Sequence, residues 1–181
     1  MFNDIVQVNL SGSEAAKTDW GYASRFGGEA AQDSAIEAAG GGDMKLFTIG
    51  YGGRRPEDFA TLLSQHGVQA IVDVRLRPDR ASMGAYVRAT SADKGIQRLL
   101  ASRGIEYAPR PELGNLFLEC DDWQQRYRDL LQQSGQLLTG RLSGIREPFC
   151  LLCAERDVTM CHRLAIADFL FRRGYVIEHI A

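Results

Sequence analysis

The sequence predicts an α/β fold: one domain over residues 44–181, a mainly parallel sheet of about five strands with helices on both faces, preceded by a flexible leader over residues 1–43. Three observations carry this. From Met44 onward, short apolar runs alternate with stretches whose apolar residues recur at helical spacing. Successive strands are far enough apart to hold a helix between them, which calls for crossover connections and parallel pairing. Residues 1–43 keep neither period after Val8, are rich in Ala, Gly, Ser and Asp, and reach Gly40, Gly41 and Gly42 just before Met44. Such a segment buries too little to offset its ordering entropy. It reads as a leader on a glycine linker, with a short helix allowed around 29–39, and it is expected to carry no chemistry. Met44 stands where a fold would begin, as it would if the gene start were set too early.

Each element follows from its residues. Lys45–Ile49 is the first strand, ending in the turn Gly50-Tyr51-Gly52-Gly53. Pro56, Glu57 and Asp58 open a helix, because proline suits a first turn and carboxylates suit its positive end. Phe59, Leu62, Leu63 and His66 share one face of it, and Gly67 closes it. Gln69–Val74 is a strongly apolar second strand. Ser91 begins a second helix with Ile96, Leu99 and Leu100 inward, stopped at Gly104, and Ile105–Ala108 is the third strand. Asp121 caps a third helix bearing Trp123, Tyr127, Leu130 and Leu131, which is expected to end near Gly135, with another short helix in 136–147. Phe149–Cys153 is the fourth strand, Cys161–Arg173 the fourth helix, stopped by Gly174, and Tyr175–Ile180 the last strand.

Composition narrows the classes of function. The chain has 181 residues, 45% hydrophobic and 24% charged, which excludes wholly disordered and collagen-like chains. No apolar run approaches the roughly 20 residues of a membrane span, and the first residues lack the basic start and apolar core of a secretion signal. No membrane association and a cytoplasmic location are expected, so the four cysteines read as thiols rather than a disulfide framework. The net charge of −2 conceals a split: residues 1–43 carry −5 and residues 44–181 carry +3. In the second part 17 of the 19 basic residues are Arg, whose planar fork suits phosphates and carboxylates. An anionic small molecule or nucleotide is therefore a possible partner, although coding bias also enriches Arg with no binding role. Nucleic acid is less strongly indicated, since no basic stripe interleaved with aromatics is present.

In open parallel sheets, ligands bind beyond the carboxyl ends of the strands. Four post-strand segments are chemically loaded here. The first holds Tyr51 and Arg54. The second holds Arg75, Arg77 and Asp79, and the third holds Arg110, Glu112 and Asn115. The fourth holds Cys153, Glu155 and Arg156, followed by Cys161-His162-Arg163. The glycine turn matches neither the dinucleotide fingerprint nor a phosphate-binding P-loop. The fourth segment is the most informative. A thiol at a helix start gains from unpaired N–H groups and a positive dipole, and both also favour a bound anion. Rhodaneses and cysteine phosphatases present a thiolate in this general way, although the spacing here is not theirs. Cys161 at a helix start also fits simple packing.

Metal chemistry is the other reading of these cysteines. Cys150 and Cys153 spell Cys-x-x-Cys, but on a strand they face opposite sides of the sheet and do not share an ion. Cys153, Cys161 and His162 meeting at the strand end would need a fourth ligand, such as Glu155 or Glu112, for a tetrahedral zinc site; no metal ligand is assigned on this ground. His66, in a helix's last turn, and His179, on the final strand, read as structural or surface residues. Cys120, in a loop, has no partner in sequence.

The motifs Thr48-Ile49-Gly50-Tyr51-Gly52-Gly53-Arg54 and Val72-Asp73-Val74-Arg75 with Pro78 resemble those of the bacterial and archaeal family called domain of unknown function 488. Pro111-Glu112-Leu113-Gly114, Leu151-Leu152-Cys153-Ala154-Glu155, Cys161-His162-Arg163 and the closing Val176…His179-Ile180 extend the match in order. The resemblance runs from about Met44 to the C-terminus and implies an α/β fold. It singles out Arg75, Glu112, Cys153, Glu155, Cys161, His162 and Arg163, and it names neither an activity nor a cofactor.

Residue chemistry then supplies the functional expectation: an enzyme acting on an anionic small molecule, nucleotide or nucleic-acid end at the carboxyl edge of the sheet. Cys161 would be nucleophile or polarised thiol, His162 an acid/base, and Glu155 or Glu112 an orienting carboxylate. Arg75 and Arg163 would bind the anion, with Tyr51, Arg54 and Cys153 also lining the ligand. Two alternatives stand beside it. One is a non-catalytic nucleotide or nucleic-acid binding module; the other is a thiol redox or metal sensor using Cys153 and Cys161.

Overall fold

The structure is a computed structural model that describes residues 44–181; the leader expected over residues 1–43 lies outside the described residues. Five strands form a single sheet: β1 (Lys45–Gly50), β2 (Ala70–Asp73), β3 (Glu106–Pro109), β4 (Phe149–Cys153) and β5 (Val176–Ile180). Their order is β3-β2-β4-β1-β5, and every pairing is parallel. The helices are α1 (Pro56–Gln65), α2 (Gly95–Ala101), α3 (Trp123–Thr139) and α4 (Arg163–Phe171). Among the described residues, no helix is long and apolar enough to cross a membrane.

Alternation along the strands divides the core into two layers. On one face Phe47, Ile49, Ile71 and Leu152 pack against Phe59 and Leu63 of α1 and Ile96 and Leu100 of α2. On the other, Leu46, Val72 and Leu151 pack against Tyr127 and Leu131 of α3 and Ile166 and Leu170 of α4. Each such side chain contributes about 1.5–3 kcal/mol by leaving water, so two covered faces hold the parallel sheet together. Cys150 belongs to the first layer and Cys153 to the second, as strand alternation requires of residues three apart.

Several helix boundaries differ from expectation; helix α3 has Asp122, not Asp121, at its capping position. Helix α2 starts at Gly95, not Ser91. The Ser91 hydroxyl bonds Asp93 and the Lys94 N–H donates to the Ser91 carbonyl, closing a local turn before the helix. Helix α3 runs through Gly135 to Thr139, because the missing side chain there admits the Phe169 ring of α4; this glycine marks a helix–helix contact rather than an end. The short helix expected in 136–147 is reduced to a single 3₁₀ turn at Gly140–Leu142. Helix α4 begins at Arg163, which leaves Cys161 in the preceding loop and His162 at the capping position.

The order of strands positions the site. Strand β4 lies between β2 and β1. The helices that follow β1 and β2 cover one face, while the helix that follows β4 covers the other. Loops leaving these neighbours therefore part to opposite sides at the carboxyl end of β4, the position where open parallel sheets bind ligands.

Candidate functional site

Strand β4 ends at Cys153, paired in register with Gly50 of β1. A side chain on Gly50 would run into the Glu155 carbonyl, so this glycine lets the loop after β4 fold tightly over the end of β1. The same loop is braced from inside by Arg163, which is 1% exposed. Its Nη1 donates to the Glu155 carbonyl at 2.5 Å and its Nη2 to the Arg156 carbonyl at 2.8 Å.

The brace returns the chain so that Cys161 and His162 meet Cys153. One ligand atom from each of the three residues lies within 4.8 Å of the others. His162 Nδ1 is 3.8 Å from Cys153 Sγ and 3.9 Å from Cys161 Sγ. Glu155 turns back onto the same spot: its Oε2 is 2.9 Å from Cys153 Sγ and 3.1 Å from Cys161 Sγ. Cys153, Cys161 and His162 are buried and Glu155 is half-buried.

Hydrogen bonding fixes the imidazole. His162 Nε2 lies 2.9 Å from the Val74 carbonyl, which only accepts, so this nitrogen carries the proton. In the neutral ring Nδ1 is then a bare lone pair aimed at the two sulfurs. The Tyr127 ring packs edge-on against the imidazole, with centroids 5.2 Å apart. The two thiols are driven in opposite directions. Cys161 is held well below an ordinary thiol by its bond from Cys153, aided by Arg163 and, when the ring carries a second proton, by His162, against the effect of burial. Cys153 is held well above one by the bond with Cys161, by burial and by Glu155. Burial raises the Glu155 carboxyl, but bonds from the two thiols leave it below the usual range.

The remaining expected residues sit elsewhere. Arg75 is clamped to Asp73, with Nε–Oδ1 at 2.8 Å and Nη2–Oδ2 at 2.5 Å, and its guanidinium lies 5.1 Å from the centre of the Tyr51 ring. Tyr107 donates to the same Asp73 at 2.6 Å. Tyr51 stacks on Tyr86. This group belongs to the α1/α2 face of the edge, whereas the thiols belong to the α3/α4 face. Arg54 ties the Gly50 and Ile180 carbonyls, and Glu112 pairs with Arg141 at 3.2 Å. The two arginines expected to hold an anion, Arg75 and Arg163, thus each turn two nitrogens to partners inside the fold, while Arg75 Nη1 and Arg163 Nε are buried without a partner. His66 bonds the Leu62 carbonyl and His179 the Thr48 hydroxyl, while Cys120 is a half-buried free thiol.

Two features were not singled out from the sequence. A pocket of about 20 Å³ reaches Cys161 and His162, with Trp123, Arg128 and Thr159 on its walls. It shares Arg128, Ala165 and Asp168 with a larger groove of about 440 Å³ between α3 and α4, where Arg172 and Arg173 also stand. Nothing in sequence separates Arg128 from other arginines on exposed helix faces. Asp73 did leave a signal: a carboxylate inside an apolar strand needs a buried partner.

The fold and the cluster define the class: a parallel five-stranded α/β protein with two thiols, an imidazole and a carboxylate gathered beyond its central strand. Comparison with protein families places it further. Residues 55–170 match the domain of unknown function DUF488, and the chain belongs to that family. The matched stretch contains the whole cluster, together with Arg75, Glu112 and Arg163; Tyr51 and Arg54 precede it. No curated protein and no solved structure matches the chain.

Proposed function

We propose that the protein is an enzyme acting on an anionic small molecule or nucleotide bound between α3 and α4, with its chemistry at Cys161 and His162. The observation that carries this reading is the adjacency of two spaces that share Arg128, Ala165 and Asp168 on their walls. The small pocket touching Cys161 and His162 borders a groove whose size suits a small ligand and whose walls hold Arg128, Arg172 and Arg173. Two acidic residues, Asp129 and Asp168, share that groove, so its charge is modestly positive rather than a broad basic field. The fit is to a compact anion with one or two phosphate or carboxylate groups.

In this reading the arginine forks that meet the substrate come from helix surfaces, while Arg75 and Arg163 shape the edge from within. Cys161 and His162 present a sulfur and an imidazole nitrogen to the reacting group, and Glu155 orients the sulfur. Positioned nucleophiles and acid/base groups of this kind contribute about 10²–10⁴ in rate. The test is turnover of a panel of phosphate and carboxylate esters and nucleotides, with inorganic phosphate as competitor. Cys161→Ser is expected to lower kcat by at least about 100-fold with little change in melting. Arg128→Ala is expected to raise KM while melting stays put. Turnover that survives Cys161→Ser would sink the proposal.

A further inference from the structure

We propose that Cys153, Cys161 and His162, with Glu155 as the fourth donor, form a binding site for a soft divalent cation of the zinc type. The proposal rests on the reading that this cluster is the working site, and it changes what the residues do there: as ligands, Cys161 and His162 would act through the ion rather than as a free nucleophile and acid/base.

Four observations converge. The first is donor identity: two sulfurs, an unprotonated imidazole nitrogen and a carboxylate oxygen are the ligand set that zinc prefers. The second is spacing. A tetrahedral ion with ordinary zinc bond lengths sets its sulfur and nitrogen donors about 3.6 Å apart. Here the two sulfur–nitrogen distances are 3.8 and 3.9 Å, a few tenths of an ångström from that spacing. Glu155 Oε2, 2.9 and 3.1 Å from the sulfurs, would draw back by about half an ångström to take the fourth place. The third is the outer bond. A ligating histidine characteristically donates its far N–H to a carbonyl or carboxylate, which fixes ring and tautomer. His162 Nε2 meets the Val74 carbonyl at 2.9 Å, and Nδ1 faces the sulfurs.

The fourth is charge. Two sulfurs lie about 3 Å from one carboxylate oxygen in a mostly buried setting. Cys161 cannot at once donate its proton to Glu155 and stand as a thiolate beside it. Without a cation, these three atoms must share protons to avoid adjacent negative charges. A divalent ion removes the conflict: M²⁺ displaces the protons of both thiols and gives a neutral bis-thiolate centre. Ligation by Glu155 would add one negative charge, faced by the Arg163 guanidinium that already holds the Glu155 carbonyl at 2.5 Å.

The site also separates the four cysteines. Cys150 lies on the other face of the sheet, and Cys120 stands apart as a half-buried thiol; neither takes part. The pocket of about 20 Å³ that touches Cys161 and His162 has room for one water. Glu155 closes the fourth place in this arrangement; if its carboxylate swings aside, a water from that pocket would take the place, the layout of a zinc site open to substrate.

The experiment is a cobalt(II) titration of the full chain after chelator treatment and buffer exchange, alongside metal analysis of protein purified without chelator. The expected result is one ion per chain, with tetrahedral d–d bands and a thiolate charge-transfer band that loses about half its intensity in Cys153→Ser or Cys161→Ser. Cys150→Ala and Cys120→Ala should leave the spectrum unchanged. Should the cluster variants fail to fold, the wild-type chain decides alone: absence of a charge-transfer band at stoichiometric cobalt overturns the site. So does a band that keeps its full intensity in Cys161→Ser or vanishes in Cys150→Ala. Stoichiometric metal without ester or nucleotide turnover leaves the site standing and removes the enzymatic reading. Turnover dependent on Cys161 in protein that binds no metal does the reverse.

Discussion

Arg163→Ala distinguishes a structural brace from an anion ligand. The guanidinium is 1% exposed and makes two charge-assisted bonds, at 2.5 and 2.8 Å, to the Glu155 and Arg156 carbonyls. Bonds from a charged donor contribute about 1.5–3 kcal/mol each, so the gross loss is about 3–6 kcal/mol. Some of it is recovered, because Glu155 is half-buried and Arg156 exposed, and water can reach the freed carbonyls. We predict a net destabilisation of about 3 kcal/mol, and about half that for Arg163→Lys, which can keep one of the two bonds. Urea unfolding followed by circular dichroism reads this directly. With a slope of about 2 kcal/mol/M, the midpoint of Arg163→Ala should fall by about 1.5 M. A variant that keeps its midpoint within about 0.5 M but loses phosphate binding would refute the brace. It would restore the role that the residue type suggests in sequence.

Three further outcomes are expected. Gly135→Ala would gain up to about 1 kcal/mol in an open helix, but here the new carbon meets the Phe169 ring and overpacking costs about 1–3 kcal/mol; melting should fall, and a rise would contradict the contact. Tyr107→Phe removes the 2.6 Å bond to buried Asp73 and should lower stability by about 1.5–3 kcal/mol in the same urea assay, with no measurable loss speaking against the Asp73–Arg75–Tyr107 network. Burial, aided by Arg163, holds the His179 ring below its ordinary value, so folding favours the neutral ring. That stabilisation is complete above about pH 6.5 and is lost as pH falls toward the lower folded value. Replacing His179 with Asn should flatten the decline in urea midpoint between pH 7 and pH 5, and an unchanged decline would count against it.

Much of the architecture was legible because the signals were local. Apolar runs bounded by Gly67, Gly104 and Gly174 gave the strands and helix stops, and parallel pairing placed all four loaded loops at one edge. Gly135 misled because a glycine that ends a helix and one that admits a neighbouring ring look alike until the neighbour is known. The order of strands was not legible either, since nothing in Phe149–Cys153 says that it lies between β2 and β1. The meeting of Cys153, Cys161 and His162 could be read as an option, but their spacing depends on the Arg163 brace, whose target no residue type announces, and on the contact of Gly50 with Glu155, far apart in sequence. Arg163 itself shows the limit most clearly: the fork that suits a phosphate also suits a pair of backbone carbonyls. Only the fold decides between them.

The most direct test of the cluster as one site is site-resolved alkylation of the four cysteines in the native wild-type chain, with and without one equivalent of zinc, mapped by mass spectrometry. Zinc is predicted to slow labelling of Cys153 and Cys161 together, leaving Cys120 fast and buried Cys150 slow in both samples. Protection of only one of the pair, or of neither, would contradict the shared site.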